Sequence, residues 1–390
     1  LTGIVVLGAS LVNARAEGLR REEAGILATD ALVLDSRAPR NDLACHIEVA
    51  KPFLGFDLRF HSYYFVTTPP TILGLGGSSL LAIARITPAN QDRPAYFLRR
   101  VVMPRLLAEA KGMGSFTDGF EVGRGHYLVD WMMRDEAGRS CSSHWELEAK
   151  PSFRERNVPL TLGENTIGKG PAPVDGEPGS GPGASQGLRV KILLNVSPPG
   201  DNEILLKPKY ASVLMAMLRT IVRDPDVSSV SLIAFNLRAQ KIVYRRDDYE
   251  TLDFAPLGNV LDAPDAGIVN YRLLQDRHSE AHFVTKLLTD HLGSGAARQD
   301  AIIILGAKVS LQQHASIDLL KKGGAAPCPI FYLNYNPNPF DQPFPDTIGS
   351  ALKAYGSASK YEIVQPHDFG TAMREMLLRL GRQPGAETLF

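Results

Sequence analysis

Two histidines four residues apart can grip a metal ion from one face of a helix, and His278-Ser279-Glu280-Ala281-His282 has that spacing. A zinc hydrolase built on His278 and His282 would need a third donor, for which His291 or Asp290 stands further along the chain. In the zinc-protease pattern the general-base glutamate directly follows the first histidine, whereas Glu280 stands two along, off the shared face. A solvated helix face is the plainer expectation. Gly74-Leu75-Gly76-Gly77-Ser78 has the composition of a phosphate cradle, but it lies among strands with no helix after it and reads as a turn. Tyr63, Tyr64, Tyr127, Trp131 and Trp145 carry enough aromatic surface for a sugar or peptide platform. Both tryptophans alternate in phase with apolar neighbours, so core packing is expected of them. Cys45 and Cys141 also fall on apolar strand faces, where they either form a disulfide or pack as two buried thiols. Cys328 opens a core strand and reads as the leftover thiol. No complete catalytic set emerges, and the chain is expected to be no enzyme.

The totals narrow the class. At 390 residues the chain suggests two or three domains. Its 42 basic and 42 acidic residues cancel, which removes the electrostatic footprint of a nucleic-acid binder. Leu1–Val12 is an apolar run of signal-peptide length, followed by the cleavage pattern Ala14-Arg15-Ala16. Residues 1–16 are therefore expected to direct export, to the periplasm or the extracellular space. That run is too short to span a bilayer and no later one is long enough, so no integral membrane segment is expected.

Residues 17–39 are weakly patterned and read as a lead-in with a short helix. Over 40–150 the apolar period becomes two. Leu43–Val49, Phe56–Phe60, Ser79–Ile86, Ala95–Val102, Tyr127–Met133 and Cys141–Leu147 are the strand candidates, and Asp135-Glu136-Ala137-Gly138 turns between the last pair. Such a run of strands suggests an immunoglobulin-like β-sandwich. Residues 151–187 read as a linker, since Gly163–Gly187 is Gly/Pro/Ser-rich with almost no large apolar residue. Over 188–382 strands and helices alternate. The strands are Leu188–Val196, Val227–Phe235, Gln240–Arg245 (an antiparallel edge), Asp300–Leu305, Cys328–Asn334 and Tyr361–Val364. Helices are expected at Lys207–Arg223, within Val269–Leu292, and at Ser316–Lys322, Thr347–Tyr355 and Asp368–Leu380, with Thr251–Ile268 as loop. This order gives an α/β, doubly wound, mostly parallel sheet, and 383–390 is a tail.

The order of elements and the Asp300–Gly306 run DAIIILG resemble a von Willebrand factor A domain over Leu188–Leu380. An exported β-sandwich followed by such a domain is similar to uncharacterised bacterial secreted proteins. The resemblance implies a Mg²⁺ site at the carboxyl ends of the strands, built on Asp-x-Ser-x-Ser, a Thr and a later Asp, and completed by a partner protein. A hard dication of this kind needs several oxygens and anionic charge. Here the motif positions hold Asn195, Ser197 and Pro199, and Asp201 alone could substitute. No Thr stands in Asp265–Asn270, and Gly306-Ala307-Lys308 supplies a lysine where the Asp would be. No cofactor is therefore expected. The reading is a non-catalytic protein-binding or scaffold protein with a degenerate site. A metal-dependent adhesion module using Asn195, Ser197 and Asp201 is the alternative. Tyr332, Tyr335 and Phe340, at and beyond the end of the Cys328 strand, mark where a protein contact would be sought, against an ordinary surface loop with inward aromatics.

Overall fold

In the computed structural model the described residues are 26–69, 79–102, 114–168, 187–199, 206–249, 254–262, 279–293, 299–311, 315–337, 345–356 and 358–381. The expected signal segment, residues 169–186 of the expected linker and the tail lie outside them, while 160–168 belong to the first compact unit. The chain divides into two compact units, with β1–β8 in the first and the mostly parallel sheet in the second.

The first unit contains two antiparallel sheets. One holds β1 (His46–Val49) and β2 (Phe53–Leu54) along one side of β3 (Phe60–Thr68), and β6 (Gly114–Val122) along the other. The other has the order β5 (Ala95–Val102), β4 (Ser79–Pro88), β7 (Gly125–Arg134), β8 (Ser140–Ala149). Their inner faces meet through aromatic contacts. Tyr64 of β3 lies 6.0 Å from Trp131 of β7 and 5.9 Å from Trp145 of β8, and Phe97 of β5 stacks 5.9 Å from Phe120 of β6. Alternation thus places both tryptophans inside, because every second side chain on a strand faces the partner sheet. Helix α1 (Ala28–Ser36) falls within the expected lead-in, and Val33 and Leu34 pack on Ile83, Tyr96 and Met132. Buried Asp30 pairs with Arg134 at 2.8 Å, and Arg85 joins Asp130 at 2.8 Å to Asp35.

Two local expectations fail here. Phe56–Phe60 is not a strand. Gly55 N–H donates to the Arg59 carbonyl at 2.8 Å and Leu58 N–H to the Gly55 carbonyl at 3.0 Å, which closes a tight turn with Leu58 at φ +59°. Leu58 adopts that left-handed backbone with its side chain buried. The strand β6, GSFTDGFEV, carries two glycines and an aspartate and gives no alternating signal.

In the second unit the sheet order is β11-β10-β9-β12-β13-β14, from β9 (Leu188–Asn195), β10 (Val227–Asn236), β11 (Lys241–Tyr249), β12 (Ala301–Ala307), β13 (Ile330–Tyr335) and β14 (Ala358–Ile363). Every pairing is parallel except the edge strand β11, which runs antiparallel to β10. Helices α2 (Pro208–Val222), α3 (Ala255–Asp262), α4 (Ser279–Leu292), α5 (Ile317–Lys322), α6 (Thr347–Ala351) and α7 (Pro366–Arg379) punctuate the strands. Leu193, Ile233, Ile302, Ile304, Ile330 and Tyr332 form one buried sheet face under α4, α5 and α6. Their alternates Ile192, Leu194, Leu232, Ile303 and Phe331 are equally buried, with α2 and α7 packed against the sheet as well. Burial on both faces explains the unbroken apolar run in β12. The structure corrects one segment: α3 lies where 251–268 reads as loop, and its Leu257 is fully buried.

Candidate functional site

In an open α/β sheet the order reverses between the first strand and the fourth, and the crevice outside their carboxyl ends is where ligands bind. Here that crevice lies beyond β9 and β12, and Asn195 and Ser197 occupy it. Both are fully buried. The Asn195 Nδ2 donates to the Ala307 carbonyl at 3.1 Å. Its Oδ1 accepts from the Ser197 backbone N–H at 3.1 Å and from Ser197 Oγ at 2.5 Å. Ser197 Oγ in turn accepts the Leu237 N–H at 2.6 Å. The amide straps β9 to β12, and the hydroxyl straps it to the end of β10. Gly306 makes the close approach feasible, since a Cβ there would stand 2.6 Å from the Asn195 carbonyl oxygen.

Neighbouring loops are tied down in the same way. Lys308 N–H donates to Tyr335 O at 3.0 Å, Arg238 to Ser310 O at 2.9 Å, and Leu311 N–H to Thr347 Oγ1 at 2.9 Å. The two motif oxygens on the described rim are thus engaged with protein donors. Asp201 and Asp265–Asn270 lie outside the described residues.

The aromatic candidates are placed inward. Tyr332 is 1% exposed, and its hydroxyl donates to Asp346 Oδ1 at 3.0 Å. Asp346 also caps α6 by accepting the Gly349 N–H at 2.9 Å, and it pairs with Lys360. Tyr335 is buried edge-on against Tyr210, at 6.3 Å. Phe340 lies outside the described residues, as does His278. His282 is exposed on α4, whereas His291 is buried near the helix end. Burial lowers the His291 pKa, and Lys191 and Arg245 lower it further. The string Gly183-Ala184-Ser185-Gln186-Gly187 has nucleophile-elbow spacing, but it precedes β9 instead of following a strand, and Gly183–Gln186 lie outside the described residues.

Cys45 and Cys141 are bonded, with a Cα–Cα distance of 6.3 Å, and the bridge joins the residue before β1 to β8 in the opposite sheet. Cys328 remains a thiol, and burial raises its pKa.

A charged cluster that no local sequence pattern signals lies on the face of β3 turned away from Tyr64. The tight turn projects Asp57 and Arg59, and antiparallel register sets His61 directly beside Glu121. His61 Nε2 lies 2.8 Å from Asp57 Oδ1, and Arg59 donates to Glu121 Oε2 at 2.6 Å. Arg59 Nε also reaches Thr161 Oγ1 at 3.2 Å, while that hydroxyl donates to the Asp57 carbonyl at 2.9 Å. Phe53 and Tyr63 stack beside His61, at 5.8 and 6.0 Å. Burial pulls the His61 pKa down, but Asp57 and Glu121 outweigh it and the net shift is upward. With His61 protonated, two cations face two anions.

No family model matches the chain, and no curated protein does. Among solved structures, a superoxide reductase (neelaredoxin) from Ignicoccus hospitalis aligns with 31% of this chain and 90% of its own length, at 11% identity and a TM-score of 0.20. A β-glucosidase from Listeria innocua aligns with 28% of this chain and 16% of its own, at 11% identity and a TM-score of 0.18. A glycosyl hydrolase family 2 member from Bacteroides cellulosilyticus aligns with 83% and 38%, at 11% identity and a TM-score of 0.23. These likenesses are too slight to carry an argument about fold or activity.

Proposed function

We propose that the chain is an exported, non-catalytic binding or scaffold protein. In this reading its first unit is an immunoglobulin-like sandwich. Its second is a von Willebrand factor A-like domain that recognises a partner protein without a metal ion. The observation that carries the reading is the closed rim, where Asn195 and Ser197 spend their polar atoms joining three strands. A Mg²⁺ ion would have to break those bonds and would meet no carboxylate among the motif positions Asn195, Ser197 and Pro199. The sheet order, with its single antiparallel edge strand, agrees with the family's arrangement. The Cys45–Cys141 bridge suits an oxidising compartment.

The test is titration calorimetry of the full chain with Mg²⁺ and Mn²⁺, and no saturable heat that depends on Ser197 is expected. One-site binding that disappears in Ser197→Ala would overturn the proposal, because it would restore the metal-dependent alternative.

A further inference from the structure

We propose that Asp57, His61 and Glu121 form a site for one divalent ion of the zinc class, with Arg59 holding Glu121 when no ion is bound. The site belongs to the sandwich unit and does not depend on how the parallel sheet is read. The carboxylate oxygens and the imidazole nitrogen all lie within 4.8 Å of one another. A tetrahedral ion with bonds of about 2.0–2.2 Å needs donors roughly 3.4 Å apart, so a turn of the Glu121 side chain closes the gap. One nitrogen and two carboxylate oxygens suit zinc, and three protein donors leave a fourth position for water.

The surroundings favour an ion over a chance ion pair. The donors sit on stiff backbone, from the turn closed by Leu58 and from paired positions on β3 and β6. Two glycines border them. A Cβ on Gly55 would stand 2.4 Å from His61 Nε2 and 2.6 Å from Asp57 Oδ1, and one on Gly168 would stand 3.2 Å from Glu121 Oε2. Bare backbone there leaves the donor atoms room that a side chain would fill. Glu121 is only 4% exposed, and a carboxylate so buried requires a cation. Arg59 supplies one now, and it has Thr161 Oγ1 as a second acceptor when Glu121 turns away. His61 and Asp57 remain partly exposed, which gives an ion a way in.

The arrangement makes an unusual prediction: deleting the guanidinium should strengthen metal binding. Chelator-treated full-length chain is titrated with Co²⁺, followed by visible absorption, and the Co²⁺ is then displaced with Zn²⁺. One ion per chain is expected. His61→Ala or Glu121→Gln should weaken it by more than about 100-fold, beyond the range seen for outer-sphere changes. Arg59→Gln should tighten it several-fold, and His282→Ala should leave it unchanged. Tryptophan fluorescence of each variant verifies that the sandwich is folded. No binding in either the natural chain or Arg59→Gln would overturn the proposal. So would binding that survives in folded His61→Ala, or that follows His282 instead.

Discussion

Reducing the Cys45–Cys141 bridge should lower the stability of the sandwich far more than that of the parallel sheet. The bond closes a loop over a sequence separation of 96, and both ends lie inside the first unit. In the chain-entropy model a loop of that size removes conformations from the unfolded ensemble worth about 4.7 kcal/mol at 25 °C. The two tryptophans of the chain, Trp131 and Trp145, both sit in this unit and contact Tyr64, so tryptophan emission reports the sandwich alone. With a urea slope of about 1.5 kcal/mol/M for a domain of this size, reduction should lower the emission midpoint by about 3 M. The assay is urea unfolding with and without reductant, repeated on Cys45→Ser/Cys141→Ser. A shift below about 1 M in both would refute the reasoning, since the bridge would then restrict little of the unfolded chain.

Three further outcomes follow from the second unit. Asn195→Asp should not create a Mg²⁺ site and should cost about 3 kcal/mol, because a buried charge would face the Ala307 carbonyl where an amide donor stood; thermal unfolding and calorimetry test the two halves. Gly306→Ala should cost about 1–3 kcal/mol, since its methyl would press on Asn195, and circular dichroism melting would read it. Lys191 is 7% exposed, and burial lowers its pKa, with Arg245 adding to this and Asp247 opposing it. Its unfolded form therefore binds the proton more tightly, so stability rises with pH between the folded and unfolded pKa values and the penalty persists below both. Lys191→Met should be more stable at neutral pH and should lack that alkaline rise, which a series of melts across pH would reveal.

Periodicity carried most of the architecture. Alternation marked β7 and β8, and the apolar stripe Leu214, Met217, Leu218, Ile221 marked α2, because one-sided burial imposes those periods on the sequence. It failed where backbone outweighed pattern. Phe56 and Leu58 alternate like strand residues, yet Gly55 lets the chain fold into a turn there. The β6 segment GSFTDGFEV has no clean period because Asp118 interrupts the apolar face of Phe116, Phe120 and Val122. With no period to mark β6, the sequence does not place Glu121 beside His61, a neighbour set only by strand register.

The sequence by itself determined the alternation of strands and helices after residue 187, the cancelled net charge, and the shortage of oxygen ligands at Asn195, Ser197 and Pro199, since each is fixed by residue identity along the chain. Only the tertiary structure decided that Cys45 meets Cys141, that Tyr332 points at Asp346, and that His61 lies against Glu121. Those meetings depend on strand register across separations of tens of residues. Register follows from how whole faces bury together, and no local spacing encodes it.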